Sequence, residues 1–133
     1  MTDKEKKRLT IDSNPSGIQG VITIDENVVS TIAGLAARHV DGIHSVGKSR
    51  LVSFGDDPTR GVHAEVGDKQ AAFDLDVIIE YGTDIRKVAN ELRERAAQEV
   101  QKMAGREVVE ININVVDVHL PGASDSKKKS RVI

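Results

Sequence analysis

A strand–helix–strand unit spanning residues 20–47 constrains the fold of this chain more than any other stretch. Residues 21–24 are rich in β-branched side chains, and Asp25 is a residue type that caps helices by accepting a hydrogen bond from a first-turn N–H. At about 100° per residue, the apolar residues that follow fall within one arc of about 160°. They are Val28, Val29, Ile32, Ala33, Leu35, Ala36 and Val40. Gly42 suits the left-handed position that ends a helix, and residues 43–46 are typical of a strand. The pattern predicts a packing unit without catalytic chemistry.

Residues 62–81 predict two strands joined by a turn. The first strand is short, at residues 62–66, and the turn follows at residues 67–70. Residues 71–81 alternate between two faces, which is the period of a strand. One face holds Phe73, Leu75, Val77, Ile79 and Tyr81, and the other holds Ala72, Asp74, Asp76, Ile78 and Glu80. Such alternation is typical of a sheet that is covered by helices on one side and open on the other.

A long amphipathic helix and a final strand complete the folded body. Thr83 and Asp84 are N-cap candidates, apolar residues recur at helical spacing over residues 84–104, and Gly105 ends the helix. Residues 107–118 alternate again. Val109, Ile111, Ile113 and Val115 lie on one face, and Glu110, Asn112 and Asn114 lie on the other.

These elements predict one domain of the α/β (α+β) class, with the order β-α-β-β-β-α-β. Because crossovers between parallel strands are right-handed, both helices fall on one face of a mixed sheet. The result is a two-layer sandwich close in plan to ferredoxin-like folds. We predict a disordered N-terminal arm at residues 1–19, the folded domain at residues 20–120 and a basic disordered tail at residues 121–133. A surface loop is predicted at residues 48–60.

Composition and charge exclude several classes of function. The chain of 133 residues has no cysteine, so it forms neither a disulfide nor a thiolate metal site. Its charged start is not a signal peptide, and no window approaches the ~18 apolar residues of a membrane span. The arm carries +1 and the tail +3, which leaves −6 for residues 20–120 out of a total of −2. An acidic body repels phosphates, so we predict no nucleic-acid binding and only weak lipid contact through the tail.

Histidines are the first candidates for chemistry. His39, His44, His63 and His119 form no HxH, HxxxH or HExxH pair, so a metal site would depend entirely on tertiary structure. His39 lies near the end of the first helix, where a packed or C-capping imidazole is the favoured interpretation. His44 and His63 are candidates for neighbours on adjacent strands.

Carboxylates on the strand at residues 71–81 are the second candidates. A pair such as Asp74 and Asp76 can carry acid–base catalysis. They lie on the predicted open face with no nucleophile nearby, and the chain has no GxSxG motif, P-loop, interhelical GxxG or CxxC. We therefore interpret them as a solvated strand face. The sequence predicts no catalytic, cofactor-binding or metal-ligating residues.

Three stretches of the sequence match the motifs of a known protein family. The opening motif, G-x-I/V-x-I-x-x-x-V-I/V-x-x-I-A-x-x-A with a later GI–V strand, is matched by Gly20, Ile22, Ile24, Val28, Val29, Ile32, Ala33, Ala36, Gly42, Ile43 and Val46. The ending, V-x-I-x-V-x-V-x-D-V, is matched by Val109, Ile111, Ile113, Val115, Asp117 and Val118. The strand between them supplies Leu75, Val77, Ile79, Tyr81 and Gly82. On these residues the body resembles the alkaline shock protein-type envelope stress response family (general stress protein 24-like).

The resemblance implies a non-enzymatic protein of the bacterial cytoplasm, peripheral at the inner face of the cell membrane, which self-associates and is held there by a separate anchor protein. Our leading hypothesis is a structural or scaffolding protein of envelope stress response or homeostasis. It would act as a homo-oligomer docked to a membrane-anchored partner. The alternative is a small-ligand or metal-binding regulatory domain of ferredoxin-like plan that uses the region of His44 and His63. An RNA-binding module of KH-like plan is a third hypothesis, which the acidic body opposes.

Overall fold

A computed structural model describes residues 16–47 and 57–122 of the chain. These residues form helices and strands in the order α-β-β-β-α-β. In chain order they are α1 (Glu26–Arg38), β1 (Ile43–Val46), β2 (Val62–Val66), β3 (Gln70–Glu80), α2 (Ile85–Ala104) and β4 (Glu107–His119). The predicted α+β class, two helices with a mixed sheet, is confirmed.

Among the described residues, the first predicted strand is the element that does not form. Residues 21–24 have no regular secondary structure, so the predicted order is right only from α1 onward. Ile24 packs against the core, whereas Val21 and Ile22 are exposed. β-Branched side chains favour a strand only where a neighbouring strand completes the ladder, and no described strand pairs with this segment. Residues 1–15, 48–56 and 123–133 lie outside the described residues, so the disordered arm, the surface loop and the disordered tail stay predictions.

β3 is the centre of the sheet, and both of its edges are used. β4 runs parallel to β3 along its whole length. On the other edge, β1 pairs antiparallel with residues 77–79 and β2 with residues 71–75, so the two short strands lie end to end. Asp76 marks their junction, because the Gly47 N–H donates to its carbonyl oxygen at 2.7 Å and its own N–H donates to the Gly61 carbonyl oxygen at 2.9 Å. Among the residues that the structure describes, the sheet is therefore three strands wide, and β4 is an edge strand.

Both helices contribute to a single core on one face of the sheet. From β3, the inward side chains are Phe73, Leu75, Val77 and Ile79. The α1 stripe supplies Val29, Ile32, Ala33, Ala36 and Ala37, and the α2 stripe supplies Val88, Leu92, Ala96, Val100 and Ala104. These stripes have the spacing of one face of a helix, as the sequence predicts.

A few predicted inward positions lie outside the core. Val28 and Leu35 flank the buried stripe of α1 and are 46% and 42% exposed. Tyr81 follows the last residue of β3 and is 64% exposed. Val109 is the extra residue of a β-bulge in β4, which turns its side chain to solvent.

The ends of α2 form as predicted. The Oδ1 atom of Asp84 accepts hydrogen bonds from the backbone N–H groups of Arg86 and Lys87 at 3.1 and 3.3 Å. Gly105 ends the helix in the left-handed conformation, with φ of 64°. These local signals decide both ends of the helix.

The ends of α1 differ from the prediction. Asp25 occupies the N-cap position, but its side chain makes no capping hydrogen bond. The helix ends at Arg38 with His39 as C-cap, so Gly42 is not its C′ residue. Gly42 instead has φ of 98° in the turn that leads into β1, where its carbonyl oxygen meets the end of β3.

Candidate functional site

The open face of the sheet carries the acidic side chains that the sequence placed there. Parallel pairing sets Asn112 beside Asp74 and Asn114 beside Asp76. The Asn112 Nδ2 donates to Asp74 Oδ1 at 2.9 Å, and the Asn114 Nδ2 donates to Asp76 Oδ1 at 3.2 Å. These amide–carboxylate bonds link neighbouring strands, which fits a polar strand face better than a catalytic pair.

A different group of side chains meets at one end of this face. His44, Glu80 and His119 come from β1, β3 and β4, and their ligand-type atoms all lie within 4.8 Å of one another. Because β3 and β4 are parallel, their carboxyl-terminal residues lie at the same end of the sheet. Glu80 and His119 are the last residues of these two strands and pair with each other.

A β-bulge places the His119 side chain on the open face. The register of β3 and β4 shifts by one residue after Val77, so Val116 is the extra residue. Without it, Asp117 and His119 would both turn toward the core, because a one-residue slip moves each side chain to the opposite face. The bulge therefore keeps two polar side chains out of the apolar layer and brings His119 beside Glu80.

A second irregularity brings in the third side chain. Ile43 pairs with Ile79 and Ser45 pairs with Ile78, so His44 is the extra residue of β1. The bulge frees this side chain from the regular alternation of the strand. β1 pairs with the edge of β3 opposite to β4, so the strand that carries Glu80 lies between the two strands that carry the histidines.

The three side chains form a compact group that is partly open to solvent. His119 Nδ1 lies 2.7 Å from Glu80 Oε1, and His44 Nδ1 lies 3.3 Å from Glu80 Oε2. The imidazole rings stack, with centroids 3.8 Å apart and an interplanar angle of 7°. Side-chain exposure is 30% for His44, 42% for Glu80 and 21% for His119. Each oxygen of one carboxylate thus faces a different ring nitrogen.

These contacts lower the pKa of the Glu80 carboxyl below its ordinary value. The hydrogen bond from His119 is the largest cause, and the His44 hydrogen bond and the charges of both imidazoles act in the same direction. Partial burial opposes them, since desolvation raises the pKa of a carboxyl. The carboxylate therefore persists to lower pH than that of an isolated glutamate.

The remaining histidines lie elsewhere. His63 on β2 pairs with Asp74, which is about 20 Å along β3 from Glu80 at about 3.3 Å per residue. His44 and His63 therefore do not meet, and the histidine pair considered from the sequence is wrong. His39 caps α1, with its Nδ1 2.7 Å from the Leu35 carbonyl oxygen, as expected for a C-capping imidazole.

Comparison with known proteins gives the family. Residues 14–120 match the alkaline shock protein 23 family, which is described as having a cell envelope-related function. The chain belongs to this family. A stress response regulator gls24 homolog of Streptococcus pyogenes serotype M3 is 34% identical over 122 residues, covering 86% of this chain and 68% of the relative. YqhY of Bacillus subtilis is 28% identical over 120 residues, covering 86% of this chain and 88% of the relative.

These findings confirm the resemblance drawn from the sequence motifs.

Among solved structures, a MamM CTD variant has a TM-score of 0.50 at 10% identity, covering 76% of this chain and 88% of that chain. At this identity, the likeness shows a shared fold alone. Within residues 16–47 and 57–122, neither helix has the length and apolar character needed to cross a bilayer.

Proposed function

We propose that this member of the alkaline shock protein 23 family is a non-enzymatic scaffold of the bacterial cell envelope. It self-associates and docks to a membrane-anchored protein at the inner face of the cell membrane. The envelope-related function of the family and the stress-response name of its relatives support this setting. Self-association rests on two observations among the described residues: β4 is an edge strand, and residues 21–24 have strand-type side chains but form no ladder.

β4 supplies the open edge. Within the described residues it pairs only with β3, so alternate N–H and C=O groups over residues 107–115 point away from the sheet. Such groups form hydrogen bonds when a further strand is added. Lysine and proline commonly protect edge strands, and the β4 sequence EVVEININVVDVH contains neither. The two β-bulges of β4 interrupt this edge at Val109 and Val116, so we place strand addition on the regular stretch between them, residues 110–115.

Residues 21–24 supply a strand to add to that edge. Val21 and Ile22 are 69% and 55% exposed, although both are residue types that favour strands. We place this segment of one copy on the β4 edge of a second copy. Because each copy carries both surfaces, the contact is head to tail and repeats from copy to copy.

Docking to a membrane-anchored partner is the second part of the proposal. In this proposal the membrane span belongs to the partner, and the chain reaches the membrane through it. A scaffold of several copies presents several docking contacts at once, and linked contacts bind far more tightly than single ones. Self-association thus strengthens attachment to the membrane without any new contact.

Size-exclusion chromatography with light scattering tests self-association of the full chain. We expect the wild-type mass to rise with concentration. The double variant Val21→Lys/Ile22→Lys should need at least about tenfold higher concentration, because charged side chains oppose strand addition. Met103→Lys is the matched control, because Met103 lies on α2, is 61% exposed and should leave association unchanged. A wild type that is monomeric at every concentration refutes self-association, and association that survives the double variant refutes this contact.

The position of a fluorescently labelled chain in its native host tests docking. We expect fluorescence along the cell periphery, with a weaker peripheral signal for Val21→Lys/Ile22→Lys because single contacts lack avidity. A wild-type signal spread evenly through the cell contradicts docking. An unchanged peripheral signal in the double variant shows docking that does not depend on oligomerisation.

A further inference from the structure

We propose that His44, Glu80 and His119 bind one divalent transition-metal ion, for which zinc is the probe. This site is independent of the proposed scaffold function and rests on side-chain geometry. The sequence predicts no metal ligand, because the histidines lack ligand spacing along the chain. The folded chain brings three ligands together from three strands.

The donor atoms have suitable chemistry and spacing. Two imidazole nitrogens and one carboxylate oxygen form a ligand set that proteins use for zinc. Tetrahedral ligands at about 2.0–2.1 Å from zinc are themselves about 3.3–3.4 Å apart. The His44 Nδ1 already lies 3.3 Å from Glu80 Oε2, and the His119 Nδ1 lies 2.7 Å from Glu80 Oε1. The three donors are close enough that rotation of the imidazole rings brings them to bonding distance of one ion.

Backbone hydrogen bonds fix the three ligand-bearing strand ends to one another. The Glu80 N–H donates to the Gly42 carbonyl oxygen at 2.8 Å, and the Tyr81 N–H donates to the His119 carbonyl oxygen at 2.9 Å. The Thr83 hydroxyl donates to the Glu80 carbonyl oxygen at 2.8 Å. The backbone that carries the ligands is thus held by the sheet, and ion binding requires only side-chain rotation.

The charge distribution of the sheet favours a cation. None of the four strands contains lysine or arginine. Their acidic residues are Glu65, Asp74, Asp76, Glu80, Glu107, Glu110 and Asp117. Summed over the sheet, these charges attract a positive ion and raise its local concentration.

Binding requires the two imidazole rings to leave their stack. The lone pair of an imidazole nitrogen lies in the ring plane, and two planes inclined by only 7° with centroids 3.8 Å apart do not converge on one ion. The terminal torsion of histidine is broad, so either ring can rotate toward a common point beside Glu80. Loss of the stack is a signature that hydrogen bonding alone does not produce.

Three protein ligands leave at least one coordination position for water or another donor. The exposure of the ligands, between 21% and 42%, lets the ion exchange with solvent. Imidazole donors favour zinc, copper and nickel over magnesium and calcium, which prefer oxygen ligands alone. We therefore expect selectivity for the first group.

Isothermal titration calorimetry of the untagged full chain with zinc tests the site. We expect one zinc ion per chain. His44→Ala, His119→Ala and Glu80→Gln should each weaken binding by at least about tenfold, since loss of a ligand exceeds loss of an outer-shell partner. His63→Ala is the matched control, because His63 is an exposed histidine on β2 that pairs with Asp74, six residues along β3 from Glu80, and its loss should leave the affinity unchanged.

Additional measurements separate loss of the site from loss of the fold. Glu80→Gln keeps the side-chain shape, and circular dichroism of each metal-free variant checks its secondary structure. In imidazole nitrogen NMR, zinc should move the signals of His44 and His119 and leave that of His63 in place. Absence of binding at millimolar zinc, undiminished binding in His119→Ala or an equal loss in His63→Ala each overturns the proposal.

Discussion

Truncation of Leu92 to alanine tests the placement of the core. Leu92 is fully buried in the middle of the α2 stripe, between Val88 and Ala96. Removing buried methyl groups costs their transfer free energy plus a term for the cavity, and Leu→Ala changes in cores cost about 2–5 kcal/mol. Alanines dominate the facing α1 stripe, at Ala33, Ala36 and Ala37, and their short side chains cannot extend into the void. We therefore expect the upper part of the range, about 3–5 kcal/mol.

Urea unfolding of the full chain, followed by far-UV circular dichroism, measures this loss. With a typical slope of about 1–3 kcal/mol per molar urea, the midpoint should fall by at least ~1 M while the slope stays the same. The thermal midpoint should fall by at least ~12 °C, since each kcal/mol corresponds to about 4–8 °C in a domain of this size.

Leu35→Ala is the control for Leu92→Ala. Leu35 belongs to α1 but is 42% exposed, so its truncation should cost less than ~1.5 kcal/mol. A loss below ~1.5 kcal/mol for Leu92→Ala, or equal losses for the two variants, would refute the reasoning from burial.

Single substitutions test smaller features. Gly42→Ala should lower the free energy of unfolding by about 1–3 kcal/mol, because φ at Gly42 is 98° and the new Cβ would lie 2.7 Å from a valine methyl of α2. Thermal unfolding measures this loss, and a neutral change would contradict the turn geometry. Asp84→Ala should lower the free energy of unfolding by about 1 kcal/mol, because it removes the N-cap hydrogen bonds of α2. Asp25→Ala removes no capping hydrogen bond and should lower it by less. Equal losses would contradict the capping assignment. The lowered pKa of Glu80 contributes stability above its unfolded pKa of about 4.3, and this is lost as pH falls through the folded pKa. As pH falls from about 4.3 through the folded pKa of Glu80, the urea midpoint of wild type should fall more steeply than that of Glu80→Gln. His119→Ala should raise the pKa of Glu80 in an NMR titration. Parallel midpoint curves would argue against the coupling.

Features encoded within a few neighbouring residues were predictable from the sequence. The α2 helix has an apolar stripe at helical spacing, a capping aspartate and a left-handed glycine at its end, and all of these act locally. The alternation of apolar and polar residues in β3 likewise indicates which side chains lie on each face, because the backbone of a strand fixes the side-chain period. The α+β class follows from these two patterns.

Features that depend on distant partners were not predictable in the same way. Residues 21–24 have the composition of a strand, but composition does not reveal whether an edge is available to pair with them. The end-to-end placement of β1 and β2 depends on β3 contacting both strands along one edge. No local signal in either short strand specifies that arrangement.

The candidate site likewise combines features that were predictable from the sequence with features that depend on distant partners. The predicted crossover makes the strands at residues 71–81 and 107–118 parallel, so Glu80 and His119, which adjoin the predicted ends of these strands, could be expected near the same end of the sheet. Which face His119 occupies depends on the bulge at Val116. Two consecutive valines at residues 115–116 interrupt the alternation of polar and apolar residues in β4. They do not show whether β4 forms a bulge at this point or continues in regular register. His44 depends on a second bulge of the same kind.

The junction of β1 and β2 makes one point of the sheet edge tolerant of insertion. A Cβ on Gly61 would lie 2.5 Å from the Gly47 nitrogen, so the chain leaves this edge and rejoins it at almost the same place. Closing a flexible loop costs only about 0.6 kcal/mol more for each doubling of its length. A longer or shorter connection between Gly47 and Asp57 therefore leaves the described ladder hydrogen bonds of β3 in place. A member of the family can therefore acquire a new segment at this position without breaking the sheet.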